Sequence, residues 1–364
     1  MNITKRTMIS AIALVLCIVL LAGCANTTWA YRHNGVEFPS GAYIFAQLMA
    51  ASDAIEIVIE ENAEQEDFAV PMNTEQLLTH TVEGLSAADW INLQAHHAAM
   101  RYYAVHVWSQ RYDLEFDVTM QGLTNSFTDQ IWGQARDLFE TNGISRASVS
   151  RLNTSDAMLL NLFNTLYGEG GEREISDADL QALFAAEYLY ANIFVIHLPL
   201  PGPDGTILDD EALEDEAQAL MASFVPRLNN GDAFEDVIFD FEIALEELRG
   251  VELSMARREA DDTFTIFVEP QEIPFYPQEF ITVFQALTIG RAAFVREGNM
   301  LILLQRRDVL ENEVMFDIYR PQLMQELMFD EFRDELVAYA EQFLQIEQNS
   351  RAISRYRPAN LQLS

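Results

Sequence analysis

The sequence predicts an α+β protein in which helices dominate both ends of the chain and a small group of strands lies between them. Apolar residues recur at three- and four-residue steps through most of residues 42–188 and again through 311–348, the spacing of amphipathic helices. Residues 189–202 form a β-branched and aromatic run that ends in Pro and Gly. Residues 292–308 have the pattern of two strands joined by a short turn.

The first residues have the pattern of a bacterial lipoprotein signal peptide. Lys5 and Arg6 precede an apolar run from Met8 to Leu21, which is shorter than the roughly 20 residues that a membrane-spanning helix needs. The run ends in Leu-Ala-Gly-Cys, which resembles a lipobox with Cys24 as the lipidated residue. We therefore expect cleavage before Cys24, a diacylglyceryl anchor on its sulfur, and a place on the extracytoplasmic face of the cell membrane. The alternative is an ordinary signal peptide with a chance cysteine.

Composition limits the partners and the chemistry. The chain has 57 acidic and 22 basic residues, a formal net charge of −35, and this field makes nucleic acid an unsuitable partner. Cys17 lies inside the signal peptide, so the mature chain has one thiol and no disulfide is expected. His96 and His97 are adjacent on a helix and point to different sides, so they make a poor metal pair. No CxxC, HExxH, GxSxG or P-loop spacing occurs, and we expect no cofactor.

Capping residues place the helices of the first half. Ser86 and Ser176 each precede a helical segment as N-cap, and Asn73 with Glu75 begins a shorter one after Pro71. The segment that starts near residue 117 stops at Asn142-Gly143, a helix C-terminal signature. The expected helices cover residues 42–61, 74 onward, 87–114, 117–141, 146–167 and 177 onward.

Turn residues and periodicity order the second half. The strand that begins near residue 189 is followed by helices over 210–229 and 231–241. A short helix over 280–287 is closed by Gly290, and a β-hairpin follows with its turn at Glu297-Gly298. The apolar positions of the last helix, within 311–348, are Met315, Ile318, Leu323, Met324, Leu327, Phe332, Leu336 and Phe343.

Three stretches, residues 29–47, 167–198 and 280–308, resemble extracytoplasmic foldases of the PrsA and SurA type. The resemblance implies a helical chaperone lobe built from both chain ends, like the N-terminal lobe of SurA. It also implies an inserted parvulin-type peptidyl-prolyl isomerase domain, a small antiparallel sheet wrapped by helices. The expected divisions are a signal peptide 1–23, a lipidated tether 24–40, a helical lobe 41–188, a divergent parvulin-like domain 189–308 and a C-terminal helix 309–364 that completes the lobe.

The same resemblance implies the site residues. Parvulins place one histidine on the first strand, a second on the last strand, and Met or Leu and Phe around the proline ring. His197 falls at the first histidine and Phe280 at the pocket phenylalanine, whereas Met300 stands where the second histidine is expected. An imidazole pair cannot form when one partner is a thioether. Whether isomerase activity survives is therefore open.

The function implied is a membrane-anchored foldase that helps newly exported, unfolded polypeptides to fold. The alternative is a non-catalytic envelope lipoprotein that uses the same fold as a protein-binding scaffold. A transporter-type substrate-binding lipoprotein is disfavoured, because it requires strands and helices that alternate throughout the chain.

Overall fold

The computed structural model describes residues 27–63, 65, 68–201, 206–208, 210–250 and 263–363. The expected signal peptide and the lipidation of Cys24 lie outside the described residues. The chain divides into unit 1, formed by both of its ends up to Glu174 and from Met328, and unit 2, formed by Ile175–Leu327. The α+β class predicted from the sequence is confirmed.

Strands from both chain ends meet in one sheet of unit 1. Strand β1 (Trp29–His33) lies between β2 (Val36–Pro39) and the two-residue strand β11 (Glu347–Gln348), and both pairings are antiparallel. The end of the expected tether is therefore a hairpin that packs in the unit, with Ala30, Tyr31 and Phe38 buried. These three apolar side chains explain why residues 29–39 fold rather than extend as a linker.

The rest of unit 1 is mainly helical. In chain order the helices and the small hairpin between them are α1 (Ser40–Glu61), α2 (Thr74–Leu77), β3 (Thr81–Val82), β4 (Leu85–Ser86), α3 (Ala87–Arg111), α4 (Val118–Thr141), α5 (Arg146–Tyr167), the C-terminal part of α10 (Glu313–Phe343) and α11 (Ser350–Arg355). The N-caps Asn73 and Ser86 predicted from the sequence accept the backbone N–H bonds of their helices. Tyr43, Ile91, Tyr103 and Phe163 are among the fully buried side chains of the core.

One described helix, α1, is long and apolar enough to cross a membrane by length and composition. About 61% of its most apolar window is buried inside the unit. Two of its polar side chains bond to α3, since the Tyr43 hydroxyl donates to the Asn92 side-chain oxygen at 3.2 Å and the Gln47 amide donates to it at 2.9 Å. Helix α1 is therefore the core helix of unit 1.

Unit 2 is built on a four-stranded antiparallel sheet of order β8-β5-β10-β9. Its elements are α6 (Asp177–Glu187), β5 (Leu189–His197), β6 (Leu200–Pro201), β7 (Ile207–Leu208), α7 (Glu211–Asn229), α8 (Phe234–Leu248), β8 (Thr263–Val268), a 3-10 helix (Pro270–Phe275), α9 (Gln278–Ala286), β9 (Ala292–Glu297), β10 (Met300–Arg306), a 3-10 helix (Val309–Glu311) and the first part of α10. The N-cap Ser176 is bonded as predicted. The turn of the hairpin is one residue later than expected, at Gly298-Asn299, with Gly298 at a positive φ of 57°.

Candidate functional site

The two faces of the unit 2 sheet are covered by different helices. On one face, Phe194 of β5 packs against Phe241 of α8, with ring centroids 5.6 Å apart, in a cluster that also includes α7. On the other face, Ile193 of β5 and Ile302 of β10 pack against residues of α9. Neighbouring residues of a strand point to opposite faces, so the position of each candidate residue follows from the strand register.

His197 and Met300 are directly opposite each other on β5 and β10. The next pair, Leu198 and Asn299, is hydrogen-bonded, because the Leu198 N–H donates to the Asn299 carbonyl at 2.7 Å. Bonded and non-bonded pairs alternate along antiparallel strands, so His197 and Met300 form a non-bonded pair, the kind in which side chains approach most closely. Met300 packs against the α9 cluster, and His197, in register with it, is exposed.

Phe280 lies at the start of α9, in the cluster that covers the face of Met300. It is only 3% exposed. Its ring stacks on Tyr276 with centroids 5.8 Å apart and meets Phe284 edge-on at 5.7 Å. Register and packing thus assign the three predicted residues to one face of the sheet, with Phe280 inside the core. A role of Phe280 in holding a proline ring stays a prediction.

The chemistry of this face is limited by Met300. A thioether sulfur is a weak acceptor and has no proton to donate, whereas an imidazole donates with one nitrogen and accepts with the other. All the other histidines of the chain lie in unit 1. Unit 2 therefore has one imidazole, and this face cannot make the histidine pair that the parvulin resemblance implies.

A different feature stands out on α4 of unit 1. Met120, Leu123 and Phe127 follow one another at three- and four-residue steps, so they lie on one side of the helix. Leu123 is 69% exposed and Phe127 is 55% exposed, while Met120 is half-buried. We call these three residues the α4 stripe. It presents apolar side chains to solvent among polar neighbours such as Gln121, Asn125 and Ser126.

The side of α4 that faces the core is polar over the same turns. Thr124 and Thr128 are buried, and the Thr128 hydroxyl accepts a 3.0 Å hydrogen bond from the Asn153 side-chain amide of α5. At Asp129 the helix is also tied to α5, through a 2.6 Å ion pair with Arg146. The usual amphipathic arrangement is thus reversed in this half of α4, since threonines are inside and large apolar side chains are outside.

A small cleft of about 170 Å³ lies between α1, α3 and α5, with Arg333 of α10 at its wall. Burial, followed by the nearby charge of Arg333, lowers the pKa of Arg101 to about 10. Burial raises the pKa of Asp156, and the charges of Arg101 and Arg333 oppose that rise. Neither Arg101 nor Asp156 forms an ion pair within 4 Å in the part of the chain that the structure describes. The cleft therefore offers a donor and an acceptor beside the apolar wall of Met49 and its neighbours.

His96 and His97 do not form a metal site. The two ring nitrogens of His96 are occupied, one by the Tyr31 hydroxyl at 3.0 Å and the other by the Glu341 carboxylate at 3.1 Å. Burial, followed by the charge of His96, lowers the pKa of the His97 ring. His96 therefore ties α3 to β1 and to α10, which is a structural role.

No family model matches the chain, and no curated protein matches it. Solved structures similar to it include the foldase protein PrsA from Streptococcus pneumoniae str. Canada MDR_19A, with TM-score 0.33, 12% identity, and coverage of 74% of this chain and 91% of that chain. The foldase protein PrsA from Lactococcus lactis has TM-score 0.33 and 11% identity, and the match covers 90% of this chain and 98% of that chain. PrsA from Bacillus subtilis has TM-score 0.27 and 10% identity, and the match covers 76% of this chain and 93% of that chain. At such values the likeness carries no functional information.

The α4 stripe was not predicted from the sequence, where Met and aromatic residues at helical spacing indicate core. A signal was nevertheless present. Thr124 and Thr128 are spaced one turn apart and alternate with Leu123 and Phe127, so the helix had two candidate inner faces. Only the packing of α4 on α5 decides between them.

Proposed function

We propose that this chain is an extracytoplasmic foldase-type chaperone, in which unit 1 covers apolar segments of newly exported, unfolded polypeptides. The observation that carries the proposal is the α4 stripe, where Leu123 and Phe127 are exposed to solvent while the neighbouring Thr124 and Thr128 are buried. Contiguous exposed apolar side chains mark interaction surfaces on soluble proteins. Met120 adds a flexible, polarisable side chain, which suits segments of varied sequence.

The expected affinity is low, as a transient client requires. Covering one large apolar side chain contributes about 1.5–3 kcal/mol. Three such side chains supply roughly 5–9 kcal/mol before the loss of translational freedom and the ordering of the client are subtracted. Association costs at least about 4 kcal/mol of this sum, so binding by the stripe alone is expected with a dissociation constant of about 0.2 mM or weaker. A client that leaves easily can continue to fold.

Unit 2 is proposed to be a divergent parvulin-like domain with exchange activity at background level. Rotation about an X-Pro amide has a barrier of about 18–20 kcal/mol, and a site accelerates it by binding the twisted amide better than the planar forms. His197 faces Met300, so the polar pair beside such an amide is incomplete. The lipid on Cys24 is proposed to hold both units at the outer face of the membrane.

An aggregation assay tests the chaperone proposal. The full chain in a mild detergent is mixed in molar excess with a chemically unfolded client, and light scattering is followed after dilution of the denaturant. We expect the wild type to suppress scattering and the variant Leu123→Gln/Phe127→Gln to lose most of this protection. The matched control is Met72→Gln, which also alters an exposed apolar side chain of unit 1, 72% exposed, but one that does not belong to α4.

Two results would count against the proposal. Equal protection by the wild type and the double variant would remove the stripe as the binding surface. No protection by the wild type at several-fold excess would favour the scaffold alternative. Far-ultraviolet circular dichroism checks that each variant keeps the helix content of the wild type.

A further inference from the structure

A groove between α3 and α5 in unit 1 is cationic, in a chain with a net charge of −35. Its volume is about 650 Å³, within the roughly 300–1,000 Å³ typical of ligand sites. No Asp or Glu is among the described residues that line it. Its lining includes Tyr102 and Val105 of α3 and Arg146, Ala147, Arg151, Thr154 and Met158 of α5.

The two chain segments that form the walls of the groove also lack acidic residues outside the lining positions. Residues 90–112, which contain most of α3, have no Asp or Glu, and the same holds for residues 141–155, which begin α5. Acidic residues make up 57 of the 364 residues of the chain. The groove is therefore lined by two guanidinium groups and by no carboxylate, in a molecule whose net charge is strongly negative.

Arg151 is the strongest anion-binding group of this groove. Its Nη1 donates to the backbone carbonyl of Glu37 at 2.9 Å and to the Tyr102 hydroxyl at 3.5 Å. Both bonds hold the guanidinium in place without neutralising it, and Arg151 forms no ion pair with any described residue. Arg146, in contrast, is paired with Asp129. A held guanidinium with remaining donors is suited to a carboxylate, which it can bind at two points.

We propose that this groove binds stretches of client polypeptide that carry Asp or Glu, with a client carboxylate on the guanidinium of Arg151. The inference rests on the proposed function and names the chemistry of the client. The hydroxyls of Thr154 and Tyr102 both donate and accept, as the N–H and C=O groups of a peptide require. Val105 and Met158 supply apolar contact for neighbouring side chains of the same stretch.

Fluorescence anisotropy with labelled peptides tests the inference on the full chain. One peptide contains Glu, Ser and Leu, and its partner has Gln in place of every Glu. We expect Arg151→Gln to weaken the Glu peptide about tenfold, the effect of losing one charge-assisted pair, and to leave the Gln peptide unchanged. Ala147→Glu places a carboxylate at an exposed lining position one helical turn before Arg151, where it can pair with the guanidinium in place of the client, and the same tenfold loss is expected.

The control is Arg136→Gln, which removes the same charge from α4 outside the groove and is expected to leave both peptides unchanged. Equal loss for the two peptides, or no loss for the Glu peptide in Arg151→Gln, would overturn the inference. So would displacement of the Glu peptide by an equal concentration of inorganic phosphate. If the stripe-dependent protection persists while the Glu preference is absent, the inference alone fails; if protection is absent as well, the proposed function fails.

Discussion

Arg173 and Glu335 form a two-point ion pair in unit 1, with Nη1 to Oε2 at 2.5 Å and Nη2 to Oε1 at 2.9 Å. Arg173 follows α5, and Glu335 lies in the C-terminal part of α10, so the pair joins the two chain ends that build the unit. The bond to Glu335 raises the pKa of the Arg173 guanidinium. The same guanidinium lies 5.5 Å from the ring centroid of Trp108.

Removal of this pair is expected to lower the stability of unit 1. Both side chains are more than a third exposed, 34% for Arg173 and 40% for Glu335, so solvent screens the pair. We expect Glu335→Gln to reduce the free energy of unfolding by about 1 kcal/mol, from the loss of the two charge-assisted bonds. Urea denaturation measures it. The control Glu331→Gln, an exposed residue of the same helix, is expected to change little; an equal change in both variants would contradict this role of Arg173.

Tyr188 is a buried side chain whose hydroxyl has no hydrogen-bond partner among the described residues. An unsatisfied buried hydroxyl costs about 1–3 kcal/mol. We therefore expect Tyr188→Phe to keep or raise the free energy of unfolding of unit 2 at pH 7. The ring of Tyr319 lies beside that of Tyr188, with the two ring centroids 5.0 Å apart, and the Tyr319 hydroxyl donates a hydrogen bond to Glu269. Tyr319→Phe is therefore expected to lower the free energy of unfolding. Equal effects of the two substitutions would contradict this assignment.

Alkaline pH is expected to destabilise the protein through its buried tyrosines. Burial raises the pKa of Tyr43 and of Tyr188 to about 12, above the ordinary value near 10. The stability that a raised pKa contributes is fully present below pH 10 and is lost as pH rises through about 12, because the unfolded state ionises first. Urea denaturation at pH 9 and pH 11 measures the loss, and Tyr188→Phe is expected to reduce it. An identical loss in that variant would show that Tyr188 does not contribute.

Prolyl exchange is expected at the uncatalysed rate, at which isomerisation takes tens to hundreds of seconds. His197 faces Met300 across the two central strands, and this pair cannot share a proton as two imidazoles can. Exchange of an Ala-Pro peptide, followed by nuclear magnetic resonance, is therefore expected to be the same with wild type and with His197→Ala. A faster rate with the wild type that His197→Ala abolishes would establish isomerase activity.

The lipid anchor is tested separately from the fold. Labelled palmitate supplied to a bacterial host is expected to enter the wild type, and the protein is expected in the membrane fraction. Cys24→Ala removes the only thiol outside the signal peptide and is expected to abolish labelling. Labelling that survives this substitution would contradict an anchor at Cys24.

Local sequence signals predicted where the helices begin better than they predicted which helix side chains are exposed. The caps Asn73, Ser86 and Ser176 act as the sequence indicated, because a cap depends on a few neighbouring residues. In α10, however, Phe332 is buried whereas Ile318 and Phe343 are exposed, although all three have the apolar spacing. Which apolar residues of a helix are covered depends on the helices packed beside it, and spacing along one segment does not contain that information.

The candidate sites show the same limit. Strand register and helix packing were needed to assign His197, Met300 and Phe280 to one face of a sheet, although the resemblance had already singled out all three. The α4 stripe and the groove of Arg151 were not predicted, because each depends on which side of a helix another helix covers. The acid-free segments 90–112 and 141–155 were visible in the sequence, but only the pairing of α3 with α5 makes them two walls of one groove.

The most direct test of the account is a photo-crosslinking measurement on α4. Benzoyl-phenylalanine replaces Phe127 in the stripe or, as a control, Asn125, which is exposed on the opposite side of the same helix. The full chain is irradiated with a radiolabelled unfolded client, and adducts are counted on a gel. We predict strong client adducts from position 127 and few from position 125. Equal yields at the two positions, or no adduct at 127, would contradict client binding by the stripe.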